Sequence, residues 1–180
     1  MVKPFIVLLA VELKPMKQTE WVSKFIEFAS IDELPDEDKK LIEHARKSVM
    51  SAYAPYSRFS VGAAVLLENG VVMLGNNQEN ASYPIGLCAE RVAVFAAAAN
   101  YPGVKIKAIA ITALSKQFLI DKPITPCGAC RQAIAEYEHR YSHPIRLIMV
   151  GETGKVLVAD SIRHFLPYAF DGEDLKAKPI

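Results

Sequence analysis

The clearest pattern of hydrophobic and polar positions begins after Pro35. Apolar residues recur there at intervals of three and four positions, at Leu41, Ile42, Ala45, Val49 and Ala52. Acidic residues occupy the first turn of the same segment, where the positive end of a helix dipole favours them, and proline is well tolerated at a first helical position. The segment therefore predicts an amphipathic helix that begins near Pro35 and ends before Pro55.

Two short apolar runs follow this helix, at residues 61–67 and 71–74. An Asn-Gly step at Asn69 and Gly70 separates them. Asn-Gly readily adopts the left-handed backbone of a tight hairpin turn. We therefore predict two antiparallel neighbouring strands.

The next segments alternate between helical and strand patterns. Helices are predicted at about 88–99 and 127–138, and each precedes an apolar run, at 106–113 and 145–150. A strand, a helix and a further strand form a crossover that implies parallel strands. The turn at 151–154 is so short that the strand at 155–158 must run antiparallel to its predecessor. The expectation is an α/β protein ordered α-β-β-α-β-α-β-β-α, with a mixed sheet of about five strands and helices on its faces.

The N-terminal segment gives a weaker pattern. Residues 5–11 are typical of a strand, Pro15 interrupts it, and residues 21–28 are apolar without a clear period. We therefore divide the chain into an N-terminal extension at 1–30 and one folded domain at 31–180. The apolar run at 5–10 is too short to cross a bilayer and lacks the pattern of a cleaved signal, so we expect neither a membrane span nor a secretory leader.

Composition narrows the ligand class. The 180 residues are 51% hydrophobic and 23% charged, which excludes a disordered chain. The formal net charge is +1, so the protein has no strong global field with which to hold a nucleic acid polymer or an anionic membrane. A small, nearly neutral ligand fits this balance better.

Three cysteines carry the candidate chemistry. Cys88 begins one predicted helix, and Cys127 and Cys130 lie in the first turn of the next. Helix N-termini lower thiol pKa values, and the Cys-x-x-Cys spacing lets two sulfurs reach one metal ion. An odd, small number of cysteines argues against a secreted disulfide framework and favours a reducing compartment, here the cytoplasm. Buried small hydrophobes and a thioredoxin-like redox pair remain as alternatives.

Two charged residues accompany Cys88. Glu90 lies on the same first turn, where a carboxylate can reach a metal-bound water without itself being a ligand. Arg91 is three residues from Cys88, on the same helix face, where it can hydrogen-bond a thiolate. Three thiolates and one zinc ion carry a net negative charge, which Arg91 and the helix dipoles offset. An ordinary solvated ion pair is the alternative for both residues.

Four segments together resemble the zinc-dependent cytidine deaminases. They are Cys-Ala-Glu-Arg at 88–91, Pro-Cys-Gly-Ala-Cys-Arg at 126–131, Tyr-Ala-Pro-Tyr-Ser-Arg-Phe-Ser-Val-Gly-Ala-Ala at 53–64, and Asn-Gln-Glu-Asn-Ala at 77–81. The resemblance extends from about residue 35 to 174, which makes 31–180 a catalytic domain. It implies a three-layer α/β/α fold whose last two strands are antiparallel.

The resemblance also implies the reaction. Cys88, Cys127 and Cys130 are implied to hold Zn²⁺. Glu90 is implied to carry protons from water to N3 of the base and to the departing amine. The substrate is then cytidine or deoxycytidine, deaminated to uridine or deoxyuridine in pyrimidine salvage.

Substrate contacts follow from the same resemblance. These implied contact residues are Phe59 against the nucleoside, Asn77 and Glu79 at the ribose hydroxyls, Tyr83 near the sugar, Ala89, and Phe170, which closes the site of a neighbouring subunit. The family is further implied to assemble as a homotetramer with shared active sites. The aromatic residues could equally be core residues, and Asn77 and Glu79 could shape a turn.

Three other functions remain open at this point. A polynucleotide-editing deaminase should present a basic face and a helix between its last two strands, whereas this chain has a tight turn there. A deaminase of a nucleoside-like antibiotic would share the metal motif. A structural Cys₃His zinc module would need one of four histidines, His44, His139, His143 or His164, to reach the cysteines.

Overall fold

A computed structural model of the protein describes residues 17–173, 175 and 176. The strand predicted at 5–11 lies outside these residues. In chain order the strands and helices are β1 (Ile26–Phe28), α1 (Asp36–Val49), β2 (Phe59–Leu67), β3 (Val72–Asn76), α2 (Ala89–Asn100), β4 (Ile106–Ser115), α3 (Gly128–Tyr141), β5 (Arg146–Val150) and β6 (Val156–Ala159). Within the described residues, no helix is long and apolar enough to span a membrane.

The strands form one mixed sheet in the order β1-β6-β5-β4-β2-β3. β4 and β5 are parallel, while β2–β3, β2–β4, β5–β6 and β1–β6 are antiparallel. The predicted hairpin, the parallel crossover pair and the antiparallel last two strands are therefore confirmed.

The number of strands and the last helix differ from the expectation. The sheet has six strands because Ile26–Phe28 pairs with β6 at the sheet edge. This strand is only three residues long, and its partner is far along the chain, so no local pattern indicates it. The expected last helix is a single 3-10 turn at Ile162–His164. It cannot extend far because Pro167 disfavours helical geometry in the residue before it.

Helices cover both faces of the sheet, which gives three layers. Alternate residues of β2 point to opposite faces: Ala63 and Val65 pack with α2 and α3, whereas Ala64 and Leu66 pack with α1. Both clusters consist of aliphatic side chains that folding removes from water. The sheet is thus a rigid base for the three helices.

Gly75 brings α2 close to this base. A Cβ atom built on Gly75 would lie 2.5 Å from the backbone nitrogen of Ala93, so a side chain there would displace the helix. The Ser48 hydroxyl donates to the Gly75 carbonyl at 2.6 Å and links β3 to α1 as well. The first turn of α2, with Cys88 and Glu90, is therefore held directly against the sheet.

Candidate active site

Two helix N-termini bring the three cysteines together. Cys88 is the N-cap of α2 and Cys127 the N-cap of α3, while Cys130 lies in the first turn of α3. The Sγ atoms of Cys88 and Cys127 are 3.7 Å apart, and those of Cys127 and Cys130 are 3.5 Å apart. Sulfurs bound at ~2.3 Å to one tetrahedral ion lie about 3.8 Å apart. The three thiols therefore have the spacing that a single metal ion requires.

The candidate metal cluster is made of cysteines alone. All three ligand atoms lie within 4.8 Å of one another, and no histidine or carboxylate among the described residues joins them. All four histidines are in the described part of the chain, so a Cys₃His site is excluded there. A three-ligand set leaves one coordination position open, which is typical of a catalytic centre.

The local environment favours a thiolate at Cys88. A hydrogen bond with Cys130 and the nearby Arg91 lower the pKa of the Cys88 thiol to about 5, although partial burial opposes the shift. Because Cys130 donates its proton to the Cys88 sulfur in this hydrogen bond and is also buried, the pKa of the Cys130 thiol is raised. Metal binding has to displace this proton, because thiolates are the ligands.

Glu90 is buried beside the cysteines, with 4% of its surface exposed. Burial is the main reason that its pKa is raised, and the negative charge of Cys88 acts in the same direction. The carboxyl group also lines the main cavity, next to Cys88 and Cys127. A carboxyl with a raised pKa at the floor of a cavity is suited to taking up and releasing protons during a reaction.

Arg91 lies behind the cysteines. One guanidinium nitrogen is 3.8 Å from the Cys88 Sγ and donates to the Gly86 carbonyl at 3.4 Å. Its Nε atom is buried without a hydrogen-bond partner. The predicted contact between Arg91 and a thiolate is present in the structure, and Arg91 does not line the cavity.

The cavity above the cysteines has a volume of about 710 Å³. Phe59 and Tyr83 line it, and Tyr56 packs edge-on against Tyr83 at a centroid distance of 5.9 Å. Phe59 also stands 6.3 Å from the ring of Phe118. The cavity is large enough for a small planar ligand and has aromatic walls that such a ligand can stack on.

Asn77 and Glu79 also line the cavity, at its rim, and both are hydrogen-bonded to the segment that carries Tyr56 and Phe59. The Asn77 Oδ1 atom accepts from the backbone N–H of Val61 at 2.8 Å, and its Nδ2 donates to the Phe59 carbonyl at 3.0 Å. Asn77 therefore fixes the start of β2. These two hydrogen bonds leave one N–H donor and one acceptor position of its side-chain amide for a ligand. The Glu79 carboxylate accepts from the backbone N–H groups of Tyr56 and Ser57 and from the Ser57 hydroxyl.

Residues 35–142 match the family model described as "Cytidine and deoxycytidylate deaminase zinc-binding region". The chain belongs to this deaminase family. A curated cytidine deaminase from Sporosarcina psychrophila is 42% identical over 139 residues, which cover 76% of this chain and 93% of that protein. One from Mycobacterium tuberculosis is 36% identical over 146 residues, which cover 79% and 96%.

A solved structure agrees with these relatives. The crystal structure of cytidine deaminase from Burkholderia pseudomallei is 40% identical in sequence, with a TM-score of 0.64, and the match covers 76% of this chain and all of that one. The α/β fold is thus that of the cytidine deaminases, as the sequence resemblance predicted.

Two residues implied by the family resemblance lie outside this cavity. Ala89 is completely buried, and its carbonyl faces Gly75 at the foot of α2. Phe170 is 56% exposed and does not line the cavity. The backbone carbonyl of Phe170 accepts a hydrogen bond from Gln132 of α3 at 2.6 Å.

Several residues that line the deaminase cavity were not singled out from the sequence. They are Tyr56, Ser57, Val61, Gln78, Asn80, Gly86, Leu87, Ile124 and Thr125. All nine lie within three positions of a predicted site residue, so sequence proximity to Phe59, Asn77, Glu79, Cys88 or Cys127 was the available signal. Five of them had a further signal, because they lie inside the segments at 53–64 and 77–81 that resemble the family: Tyr56, Ser57, Val61, Gln78 and Asn80.

Proposed function

We propose that the protein hydrolytically deaminates cytidine and deoxycytidine, yielding uridine or deoxyuridine and ammonia. The observation that carries this proposal is the group of three cysteine sulfurs at metal-binding spacing, with buried Glu90 beside them at the floor of an aromatic-walled cavity. Membership of the deaminase family supports it independently. We assign this chemistry to a catalytic domain at residues 31–180, with residues 1–30 as an extension whose strand at Ile26–Phe28 joins the edge of the domain's sheet.

The three cysteines fit a zinc ion. Cys88, Cys127 and Cys130 supply three soft thiolate ligands at suitable distances, and two helix N-termini stabilise their negative charge. When bound with an open coordination position, zinc lowers the pKa of water to near 7 and so supplies a nucleophile at neutral pH. The guanidinium of Arg91 balances part of the thiolate charge from behind the site.

Glu90 carries the proton chemistry in this proposal. Its burial raises its pKa, so the carboxylate can accept a proton from water and pass it on within the cavity. Successive transfers would go to N3 of the pyrimidine and to the amino group that leaves from C4. Its low exposure limits the access of bulk water to the carboxyl group while these transfers take place.

The charge of the cavity favours nucleosides over nucleotides. No lysine, arginine or histidine of the described chain lines the cavity, whereas Glu79 and Glu90 both do. A substrate phosphate would meet acidic side chains and no cationic side chain of the described chain. Phe59 and Tyr83 would instead hold the flat base and the nearby sugar, with Asn77 and Glu79 as further substrate contacts.

The same proposal includes assembly into a homotetramer with shared sites. Phe170 is exposed at 56% and lies outside the cavity of its own chain, which leaves its ring available to a neighbouring one. Other large apolar side chains, among them Tyr83 at 74% and Leu119 at 62%, are also exposed. We place the enzyme in the cytoplasm, in pyrimidine salvage.

A substrate panel tests the proposed function. Zinc content and ammonia release should be measured together, with cytidine, deoxycytidine, CMP and a short single-stranded DNA as substrates. We expect turnover of both nucleosides and little of CMP or DNA. Preferential turnover of CMP or DNA, or no ammonia from any substrate in zinc-loaded protein, would overturn the assignment.

A further inference from the structure

Glu79 is held in one orientation by three hydrogen-bond donors. The backbone N–H groups of Tyr56 and Ser57 donate to its Oε2 atom at 2.9 and 3.3 Å, and the Ser57 hydroxyl donates to Oε1. These bonds keep the pKa of Glu79 below its usual value although partial burial opposes them. The carboxylate is therefore charged and fixed, and Ser57 is the side chain that fixes it.

The three donors leave one acceptor position open. A carboxylate offers about four lone-pair positions, two on each oxygen. Both positions on Oε2 face backbone N–H groups, and one on Oε1 faces the Ser57 hydroxyl. The last position, also on Oε1, has no donor among the described residues, and Glu79 is one of the residues that line the cavity. Its direction depends on where the Ser57 hydroxyl holds this oxygen.

Ser57 itself is part of a turn that hydrogen bonds have to hold. The next residue, Arg58, has a φ of 56°, in the left-handed region that non-glycine residues rarely adopt. The Ser57 Oγ accepts from the Phe59 N–H at 3.1 Å while it donates to Glu79. One hydroxyl thus connects the aromatic wall of the cavity to its acidic rim.

The two segments also have contacts that do not involve this hydroxyl. The backbone N–H of Glu79 donates to the Tyr53 carbonyl at 2.8 Å, and the N–H of Tyr53 donates to the Asn77 carbonyl at 3.0 Å. Ser57 is exposed and packs in no hydrophobic cluster. Removal of its hydroxyl should therefore loosen the Oε1 side of the Glu79 carboxylate, which keeps its two backbone donors on Oε2, while the backbone pairing of the two segments is retained.

We propose that Ser57 is a positioning residue for sugar recognition. Its hydroxyl turns the open acceptor position of Glu79 towards a hydroxyl group of the nucleoside sugar. This inference rests on the proposed nucleoside deamination. Ser57 acts through Glu79 and not on the reacting base, so its loss should weaken substrate binding and leave the chemical step largely unchanged.

A comparison of substrates with and without sugar hydroxyls tests this role. The variants are Ser57→Ala, Ser57→Thr, which retains a hydroxyl, and Ser82→Ala, a nearby serine outside the cavity. For Ser57→Ala we expect the KM for cytidine to rise about tenfold, as for the loss of one hydrogen bond to a charged group, with kcat within about twofold. The KM for 2′,3′-dideoxycytidine should stay at the wild-type value. Ser57→Thr should restore most of the cytidine KM, and Ser82→Ala should change neither substrate.

The same measurements show what would overturn the role. An unchanged KM for cytidine in Ser57→Ala, or an equal rise for cytidine and dideoxycytidine, would show that Ser57 does not act through the sugar. A second test uses Glu79→Gln, in which adding Ser57→Ala should raise the cytidine KM no further; an additive effect would contradict coupling between the two residues. Wild-type protein without activity on either nucleoside would instead refute the proposed function, and this inference with it.

Discussion

The two glutamates of the cavity have opposite environments. Glu90, at the floor, is buried and its pKa is raised, whereas Glu79, at the rim, is partly exposed and its pKa is lowered by hydrogen bonds. Glu90 lies on a helix packed against the sheet, and Glu79 lies in a loop. Burial thus suits the Glu90 carboxyl group to carrying protons, whereas hydrogen-bond donors keep the Glu79 carboxyl group charged and in one orientation.

The supporting elements differ in the same way. The floor is formed by the first turns of α2 and α3. The regular helical backbone fixes the positions of Cys88, Glu90 and Cys130 there. The rim consists of loop residues such as Tyr56, Glu79 and Tyr83, held by side-chain hydrogen bonds and ring contacts. We therefore expect substitutions at the floor to affect metal and chemistry, and substitutions at the rim to affect substrate binding.

The largest effect should come from the buried metal ligand. We expect Cys130→Ser to lower zinc affinity by more than ~100-fold, because changes to groups behind a ligand already cost ~10–100-fold. Activity should fall with it, and thermal stability should drop because the ion joins α2 to α3. Metal analysis at low free zinc measures the loss. One zinc ion per chain in this variant would show that other ligands hold the metal.

Glu90→Gln should separate chemistry from metal binding. We expect kcat to fall by ~10²–10⁴, the range for loss of general acid–base catalysis, with zinc content and fold retained. Steady-state kinetics on zinc-loaded protein measures this. Glu136→Gln, on the exposed surface of α3, is the matched control and should keep the wild-type rate. A zinc-replete Glu90→Gln enzyme with a near-normal kcat would refute the role of Glu90.

The two glutamates should also differ in their effect on stability. The pKa of Glu90 is higher in the folded protein than in the unfolded chain. When the pH rises above the unfolded-state pKa, the unfolded chain loses this proton more readily, so the free energy of unfolding decreases. Glu90→Gln should therefore stabilise the metal-free protein at pH 7, and the gain should disappear in acid.

Glu79→Gln should show the opposite sign. The pKa of Glu79 is lower in the folded protein than in the unfolded chain. Its charge therefore stabilises the fold when the pH is above the unfolded-state pKa, and this stabilisation is lost as the pH falls through the folded-state pKa. The variant should be less stable at pH 7 by below ~1 kcal/mol, because solvent screens the charge, and equal to wild type in acid. Urea unfolding at several pH values measures both variants. Shifts of the same sign in the two proteins would contradict the comparison.

The sequence predicted the floor better than the rim, for a physical reason. The cysteine spacing, helix starts and positions of Glu90 and Arg91 are local, so they follow from helical geometry. That α2 and α3 bring Cys88 next to Cys127 is a tertiary contact, which the cysteine positions suggested and the family resemblance implied.

The features that the sequence did not indicate depend on distant contacts. The edge strand at Ile26–Phe28 needs β6, and the hydrogen bonds of Ser57 with Glu79 join two loops. The same holds for Asn77, whose side chain braces β2 at Val61. None of these pairings leaves a periodic pattern along the chain.

Arg91 should control how tightly the cysteines retain metal in acid. Its charge lowers the pKa of Cys88, so in Arg91→Ala the thiol pKa rises and protons compete with zinc at higher pH. We expect the midpoint of zinc loss on acidification to move upwards by about one pH unit. Arg140→Ala, in the last turn of α3, is the control. An unchanged midpoint in Arg91→Ala would make Arg91 irrelevant to the metal site.

Phe170→Ala should have the smallest effect. If its ring closes the cavity of a neighbouring chain, kcat/KM should fall about two- to tenfold, with zinc content unchanged. Light scattering at the assay concentration should show a tetramer for the wild type. A fully active, zinc-loaded wild-type monomer would overturn both the shared site and the role of Phe170.

The central claim is that one zinc ion on three cysteines, beside Glu90, makes this chain a cytidine deaminase. The most direct test is to titrate metal-free protein with Zn²⁺ while ammonia release from cytidine and bound zinc per chain are measured together. We predict that activity rises in proportion to occupancy and levels off at one ion per chain. Deamination by metal-free protein, or full occupancy of the cysteines without deamination, would contradict the account.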